Sequence, residues 1–102
     1  MNNQLESVLV RKIIAYLKTL SSCYWYRTHG GTFASRVGIP DLLICYRGVF
    51  VGIEVKIKPN TPTPLQKIEI AKINLAGGVS GVAYSLEDVV TILEHVAQRG
   101  LP

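Results

Sequence analysis

The segment 38-GIPDLLICYRGVFVGIEVKIK-58 constrains the fold more than any other part of the chain. Two runs rich in β-branched and aromatic residues, 41–46 and 49–57, flank Arg47-Gly48, the pattern of a hairpin closed by a tight turn. Leu42, Leu43, Ile44, Val49, Phe50, Val51, Ile53, Val55 and Ile57 make it apolar enough for a core. Yet Asp41 stands at the mouth of the first run, and Glu54 and Lys56 lie inside the second. Side chains alternate along a strand, so Ile53, Val55 and Ile57 share one face while Glu54, Lys56 and Lys58 share the other. Pairing about Arg47-Gly48 brings Asp41 opposite the end of the second run, beside Glu54 and Lys56.

The rest of the chain supplies the frame. Leu5, Leu9, Ile13, Tyr16, Leu17 and Leu20 recur three and four apart and predict an amphipathic helix over 4–20. The aromatic stretch 23-CYWYRTH-29 reads as a strand, followed by a Gly-containing loop over 30–38. After the proline-rich 58–64, Thr63 looks like a helix N-cap, Pro64 the first helical residue and Gln66 the partner in a capping box. That helix runs to Ala76 and stops at Gly77-Gly78. A strand over 79–85 follows, and Ser85 caps a last helix reaching Gln98, with Glu87 and Asp88 in its first turn. The expected fold class is α/β (α+β), in the order α-β-β-β-α-β-α, with a mixed central sheet flanked by helices. At 102 residues, with neither repeats nor a dividing linker, the chain reads as one domain over 1–102.

Two neighbouring carboxylates repel, and a site that keeps both ionised needs a cation. Hard oxygen ligands suit Mg²⁺ or Mn²⁺, ions that polarise a phosphodiester and acidify a bound water. A lysine on the same face would position that water or steady a phosphate. The plain alternative is a solvated strand face, because an E-x-K triplet arises by chance in roughly a third of chains this long. Three features weigh against it. G-x-P-D precedes E-x-K by twelve residues with strand patterns around both. Glu6 falls roughly 40° from the centre of the first helix's apolar stripe, so it faces the sheet. Gln66 opens the helix that follows the E-x-K strand. Each also has a simpler reading, Glu6 as a helix-start acid and Gln66 as a cap.

Glu6, 38-GIPDLL-43, 53-IEVK-56 and Gln66 together resemble the PD-(D/E)xK nuclease superfamily. Within it the chain is most similar to the VRR-NUC (virus-type replication-repair nuclease) group, in particular its short stand-alone phage and bacterial members. The resemblance spans about residues 4 to 98 and implies an αβββαβ restriction-endonuclease-like core. It implies that Asp41, Glu54 and the backbone carbonyl of Val55 hold Mg²⁺ or Mn²⁺, that Lys56 is the catalytic lysine, and that Glu6 and Gln66 assist. It further implies an endonuclease acting on DNA, branched DNA included, resembling Holliday-junction resolvases that work as homodimers. An independent feature agrees. On the 64–76 helix, Ile68, Ala71 and Leu75 form one apolar stripe and Ile70 and Ile73 another, so the helix needs two partners or deep burial.

The formal charge of +4 fits a phosphate-binding surface without demanding one. Arg27, Arg36, Arg47, Lys58 and Lys67 fall at strand ends or loops and are candidates for DNA contact. Tyr24, Trp25 and Tyr26 either stack on unpaired bases or pack within the sheet, the second being expected for at least two. His29, before Gly30-Gly31, is a lesser candidate for the site. Cys23 and Cys45 lack metal-ligand spacing and read as reduced packing residues. No apolar run reaches a membrane span, and the N-terminus lacks signal-peptide order, so a cytoplasmic location in a bacterial or phage-infected cell is expected. The competing function is a non-catalytic nucleic-acid-binding module of the same fold.

Overall fold

The computed structural model describes residues 2–28 and 36–99. Its elements are α1 (Asn2–Leu17), β1 (Cys23–Arg27), β2 (Leu42–Tyr46), β3 (Val49–Val55), α2 (Pro64–Leu75), β4 (Val79–Ala83) and α3 (Leu86–Arg99). One sheet runs in the order β1-β2-β3-β4. The first three strands form an antiparallel meander, and α2 carries the chain over to β4, parallel to β3. This is the expected mixed α/β architecture. Among the described residues no helix is long and apolar enough to cross a membrane.

Strand alternation sets the two faces of the sheet. Leu42, Ile44, Val51, Ile53 and Val55 point to one side, where Leu9, Val10, Ile13 and Leu17 of α1 and Val89, Leu93 and Val96 of α3 bury them. Each such large side chain contributes roughly 1.5–3 kcal/mol through removal from water. Among the described residues, the opposite face is covered over β3 and β4, by α2. Gly52 makes that approach possible: a Cβ there would lie 2.7 Å from Ile73 Cδ1 and 3.2 Å from Pro40 Cγ. Gly78, just past the same end of the helix, does likewise: a Cβ there would lie 2.7 Å from the Phe50 carbonyl oxygen and 3.0 Å from Ile73 Cγ2.

The turns follow the local signals. Thr63 and Gln66 form the reciprocal capping box, with Pro64 at the first position of α2. Ser85 Oγ accepts from the Asp88 N–H, and Asp88 Oδ2 accepts from the Tyr84 N–H, fixing the start of α3. Several boundaries fall short of expectation. α1 ends at Leu17 because the chain tightens there, Thr19 N–H bonding the Tyr16 carbonyl, and Ser22 then takes a left-handed φ of 55°. β3 ends at Val55 and β4 at Ala83, where their chains turn toward the α2 and α3 caps. Leu5, expected in the core stripe, is exposed, and Val10 takes a place in it. Of the cysteines, Cys23 packs against the core while Cys45 is exposed, so only one is a packing residue.

Close packing of α2 on Gly52 gives a direct test. Gly52→Ala is expected to destabilise the fold by about 1–3 kcal/mol through overpacking. Ile73→Val removes the methyl in the way, so the double variant in chemical denaturation should be more stable than the two single losses sum to.

Candidate active site

The hairpin register decides which charged groups meet. Leu42 pairs with Ile53, so Asp41, one residue before β2, stands opposite Glu54. Asp41 Oδ2 accepts a hydrogen bond from the Val55 N–H at 2.8 Å. From the other side Thr28 holds the same segment: its N–H donates to the Asp41 carbonyl at 2.9 Å and its buried hydroxyl to the Pro40 carbonyl at 2.8 Å. Asp41 is thus fixed through both its backbone and its carboxylate.

Glu54 is 3% exposed, on the face of β3 away from the apolar core. Its Oε2 lies 3.8 Å from Lys56 Nζ, and its Oε1 is buried with no hydrogen-bond partner. Burial first, then the charge of Asp41, pushes the Glu54 carboxyl from an ordinary 4.5 up to about 8, against the pull of Lys56. Asp41 is raised too, chiefly by burial, although the Val55 N–H, Glu54, Lys56 and Arg27 all favour its charged form. At neutral pH the Glu54 side chain is therefore held mainly as the carboxylic acid, beside an Asp41 carboxyl that burial also raises.

Glu6, Asp41, Glu54, Lys56 and Gln66 all line one cavity of ≈ 310 Å³, walled on a further side by Val37, Gly38 and Ile39. Five residues spread over 61 positions of sequence are gathered at one end of the sheet. Glu6 reaches it because it lies in register with the buried Leu9, Val10 and Ile13 of α1. Gln66 is fixed by its cap, its Oε1 accepting from the Thr63 N–H at 2.9 Å, so the capping reading holds for a residue that also faces the cavity.

The basic candidates divide. Arg27 joins Glu6 and Asp41 along an adjoining small cavity and lowers the Asp41 carboxyl by its charge. Arg36 instead pairs with Glu69 of α2 at 3.2 Å, at an apolar groove between α2 and the sheet. Lys58 sits over the Tyr84 ring at 5.5 Å, and Lys67 is exposed in the first turns of α2. Arg47 occupies the turn at the closed end of the hairpin, the full length of β2 from Asp41. His29 lies outside the described residues.

Two residues position this site in ways the sequence pattern does not spell out, Gly38 although it opens the G-x-P-D motif. Thr28 follows β1 by one residue, and only the cross-strand register reveals its bond to Asp41. Gly38 has φ of 93°, and a Cβ there would meet the Leu65 carbonyl oxygen at 2.8 Å. The glycine of G-x-P-D thus lets the loop before Asp41 lie against the start of α2, closing the cavity wall.

The donor set fits a hard divalent cation: two converging carboxyl groups and one buried carboxylate oxygen without a partner. Among the described residues no three His, Cys, Asp or Glu side chains are grouped closely enough to hold a metal ion by themselves. Backbone oxygen or water must therefore complete any coordination shell. The bond observed at Val55 is through its N–H to Asp41.

No protein-family model and no curated protein matches the sequence. Solved structures do match. One described as a VRR_NUC domain is 26% identical, with a TM-score of 0.71 over 88% of this chain and 95% of the other. A second, described as a VRR_NUC domain protein, is 18% identical, with a TM-score of 0.75 over 93% of this chain and 89% of that one. The expected likeness is met in three dimensions.

The raised Glu54 carboxyl has a measurable consequence. The folded state keeps a proton that the unfolded chain releases near 4.5, so stability from this group is full below that pH and lost as pH rises through about 8. Thermal unfolding in chelator should show the metal-free protein losing stability between those limits, and Glu54→Gln should remove most of the decline. An identical slope in the variant would place the titrating group elsewhere.

Proposed function

We propose that this VRR_NUC-like domain is a metal-dependent endonuclease that hydrolyses DNA phosphodiesters and prefers branched or flapped structures, as a Holliday-junction resolvase does. The observation that carries the reading is the gathering of Glu6, Asp41, Glu54, Lys56 and Gln66 on one cavity, with a buried oxygen of Glu54 left without a partner. A solvated surface ion pair would not bury Glu54 or orphan that oxygen.

Asp41 and Glu54 would hold Mg²⁺ or Mn²⁺, with the Val55 carbonyl as the ligand the resemblance supplies. The bound ion would lend Lewis acidity to the phosphodiester and lower the pKa of an attacking water. Glu54 must give up its proton to take that role, so ion binding strengthens as pH rises toward 8. Lys56, largely buried and 3.8 Å from Glu54, presents an ammonium group beside the same carboxylates, where it orients water or steadies charge building on phosphate. Gln66 has its carbonyl oxygen committed to the cap and its amide N–H groups available to water or substrate. Arg27 extends positive charge along the neighbouring wall toward the DNA backbone. Water adds to phosphorus as the bond to the 3′ oxygen breaks, leaving a 5′-phosphate, the polarity that the resemblance implies.

The enzyme works as a homodimer in this reading. Ile68 and Leu75 of α2 are exposed, Leu75 at 87%, and Ala71 lies exposed between them, while Ile73 packs on the sheet. An aliphatic stripe with no partner among the described residues suits a second copy about a two-fold axis. Replacing Ile68 and Leu75 together by glutamate should convert a sedimenting dimer to a monomer. An unaltered sedimentation coefficient would exclude that face.

Cleavage provides the main test. Purified protein with linear, flapped and four-way-junction DNA should cut only when Mg²⁺ or Mn²⁺ is present. Asp41→Asn, Glu54→Gln and Lys56→Met should each lower the rate by at least about 100-fold while DNA binding persists. Binding by the wild type with no metal-dependent cleavage of any DNA form would identify a binding module instead.

A further inference from the structure

The half of the sheet that α2 leaves uncovered carries a second organised feature. β1 is an edge strand whose residues alternate cleanly. Cys23 and Trp25 pack against the core, whereas Tyr24 and Tyr26 are 73% and 57% exposed on the opposite face. The strand-packing reading therefore fails for two of the three aromatics. Tyr26 pairs with Leu43 and Tyr24 with Cys45, and the next rung along the same face is Thr28 with Asp41. The tyrosines thus form a line that runs along the sheet toward Asp41, each rung about 6.8 Å from the last.

The floor beside that line is apolar and its rim is basic. Leu43 and Phe50 border a groove of ≈ 370 Å³ beneath α2. Arg36 and Lys72 stand on its rim, two cations against the single carboxylate of Glu69, and Arg47 lies exposed in the turn at the far end. Exposed aromatic faces at regular steps, an apolar floor and an excess of positive charge are the elements that bind unpaired nucleotides without reading their sequence. The aliphatic stripe on the outer side of α2 lacks these features.

We infer that the bare half of the sheet is a single-strand binding track, on which unpaired bases of a DNA arm stack on Tyr26 and Tyr24 and lead toward the cavity at Asp41. This inference rests on the nuclease reading and names the part of the substrate that it adds: a single-stranded segment adjoining the cut. It also gives a structural reason for preferring branched or flapped DNA, since a fully paired duplex offers no base to stack.

The test is binding of short fluorescein-labelled oligo-dT by anisotropy in chelator, where nothing is cleaved. Tyr24→Ala and Tyr26→Ala should each weaken single-strand binding by about ten-fold or more, with a smaller effect on a blunt duplex. Tyr24→Phe and Tyr26→Phe, which keep the ring, should bind close to wild type. Alanine variants that bind oligo-dT as tightly as wild type overturn the track. So does a loss accompanied by dissociation of a dimer in sedimentation, which would mean that a second copy covers this face. Metal-dependent cleavage by the wild type is scored separately on the same preparations. Tyrosine-dependent binding without cleavage sinks the nuclease reading, and with it the cut beside the track, while the single-strand binding face stands; cleavage without tyrosine-dependent binding sinks the track alone.

Discussion

A single hydrogen bond, from the Val55 N–H to the Asp41 carboxylate at 2.8 Å, organises the candidate site. It spans the open end of the β2–β3 hairpin and locks an acidic side chain against the strand that carries Glu54. Because the register already sets Leu42 against Ile53, the bond leaves the Glu54 carboxyl nowhere to go but beside Asp41. Burial and repulsion then follow from position, and with them the raised Glu54 carboxyl and its unpartnered oxygen. A slip of one residue would turn Glu54 into the apolar core and Ile53 out of it, at a cost of several kcal/mol, so the hydrophobic pattern of the hairpin enforces the polar geometry at its end.

The unequal covering of the two sheet faces explains the molecule's surfaces. α1 and α3 bury one face across β2, β3 and β4, and their contacts make up the core. α2 can lie close to the other face only where Gly52 and Gly78 remove side chains, so it covers the β3–β4 half. Its inner side carries Ile73 and the buried Glu69, and its outer side is left aliphatic. On the β1–β2 half the outward Tyr24, Tyr26 and Cys45 are exposed and Leu43 is half-buried. Both proposed contact surfaces, one for a second copy and one for unpaired DNA, are consequences of this one-sided placement.

Most of the fold was legible because it is written in local periodicity and punctuation. Alternation in 49–57, the capping box at Thr63-Gln66 and the Ser85 cap are short-range patterns, and the structure follows them. The convergence of Asp41, Glu54 and Lys56 was legible for the same reason, since a hairpin's register is set by its turn. Glu6 needed only the helical phase of α1. What was not legible depends on contacts between segments distant in sequence. Arg36 finds Glu69 thirty-three positions away, Lys58 lies over Tyr84, and Thr28 bonds the residues before β2. Long flexible cations choose partners by tertiary proximity, which no window of sequence contains. The exposure of Tyr24 and Tyr26 was hidden likewise, because an aromatic strand reads the same whether or not a helix covers it.

Electrostatics link the two halves of the proposed machinery. The chain as a whole is basic, at +4, yet the cavity concentrates carboxyl groups where a phosphate would have to approach. A raised Glu54 carboxyl lessens that conflict in the metal-free protein, because its protonated form adds no negative charge. On the proposed reading, a divalent ion in place of the proton would go further and cancel the charge of the two carboxylates, removing the repulsion that a phosphodiester would meet there. Single-strand contacts along the sheet lie outside this exchange, on a surface whose charge does not depend on the ion. On the proposed reading, DNA is held by the sheet in either state, and the cavity admits the scissile phosphate only when the proton has been displaced.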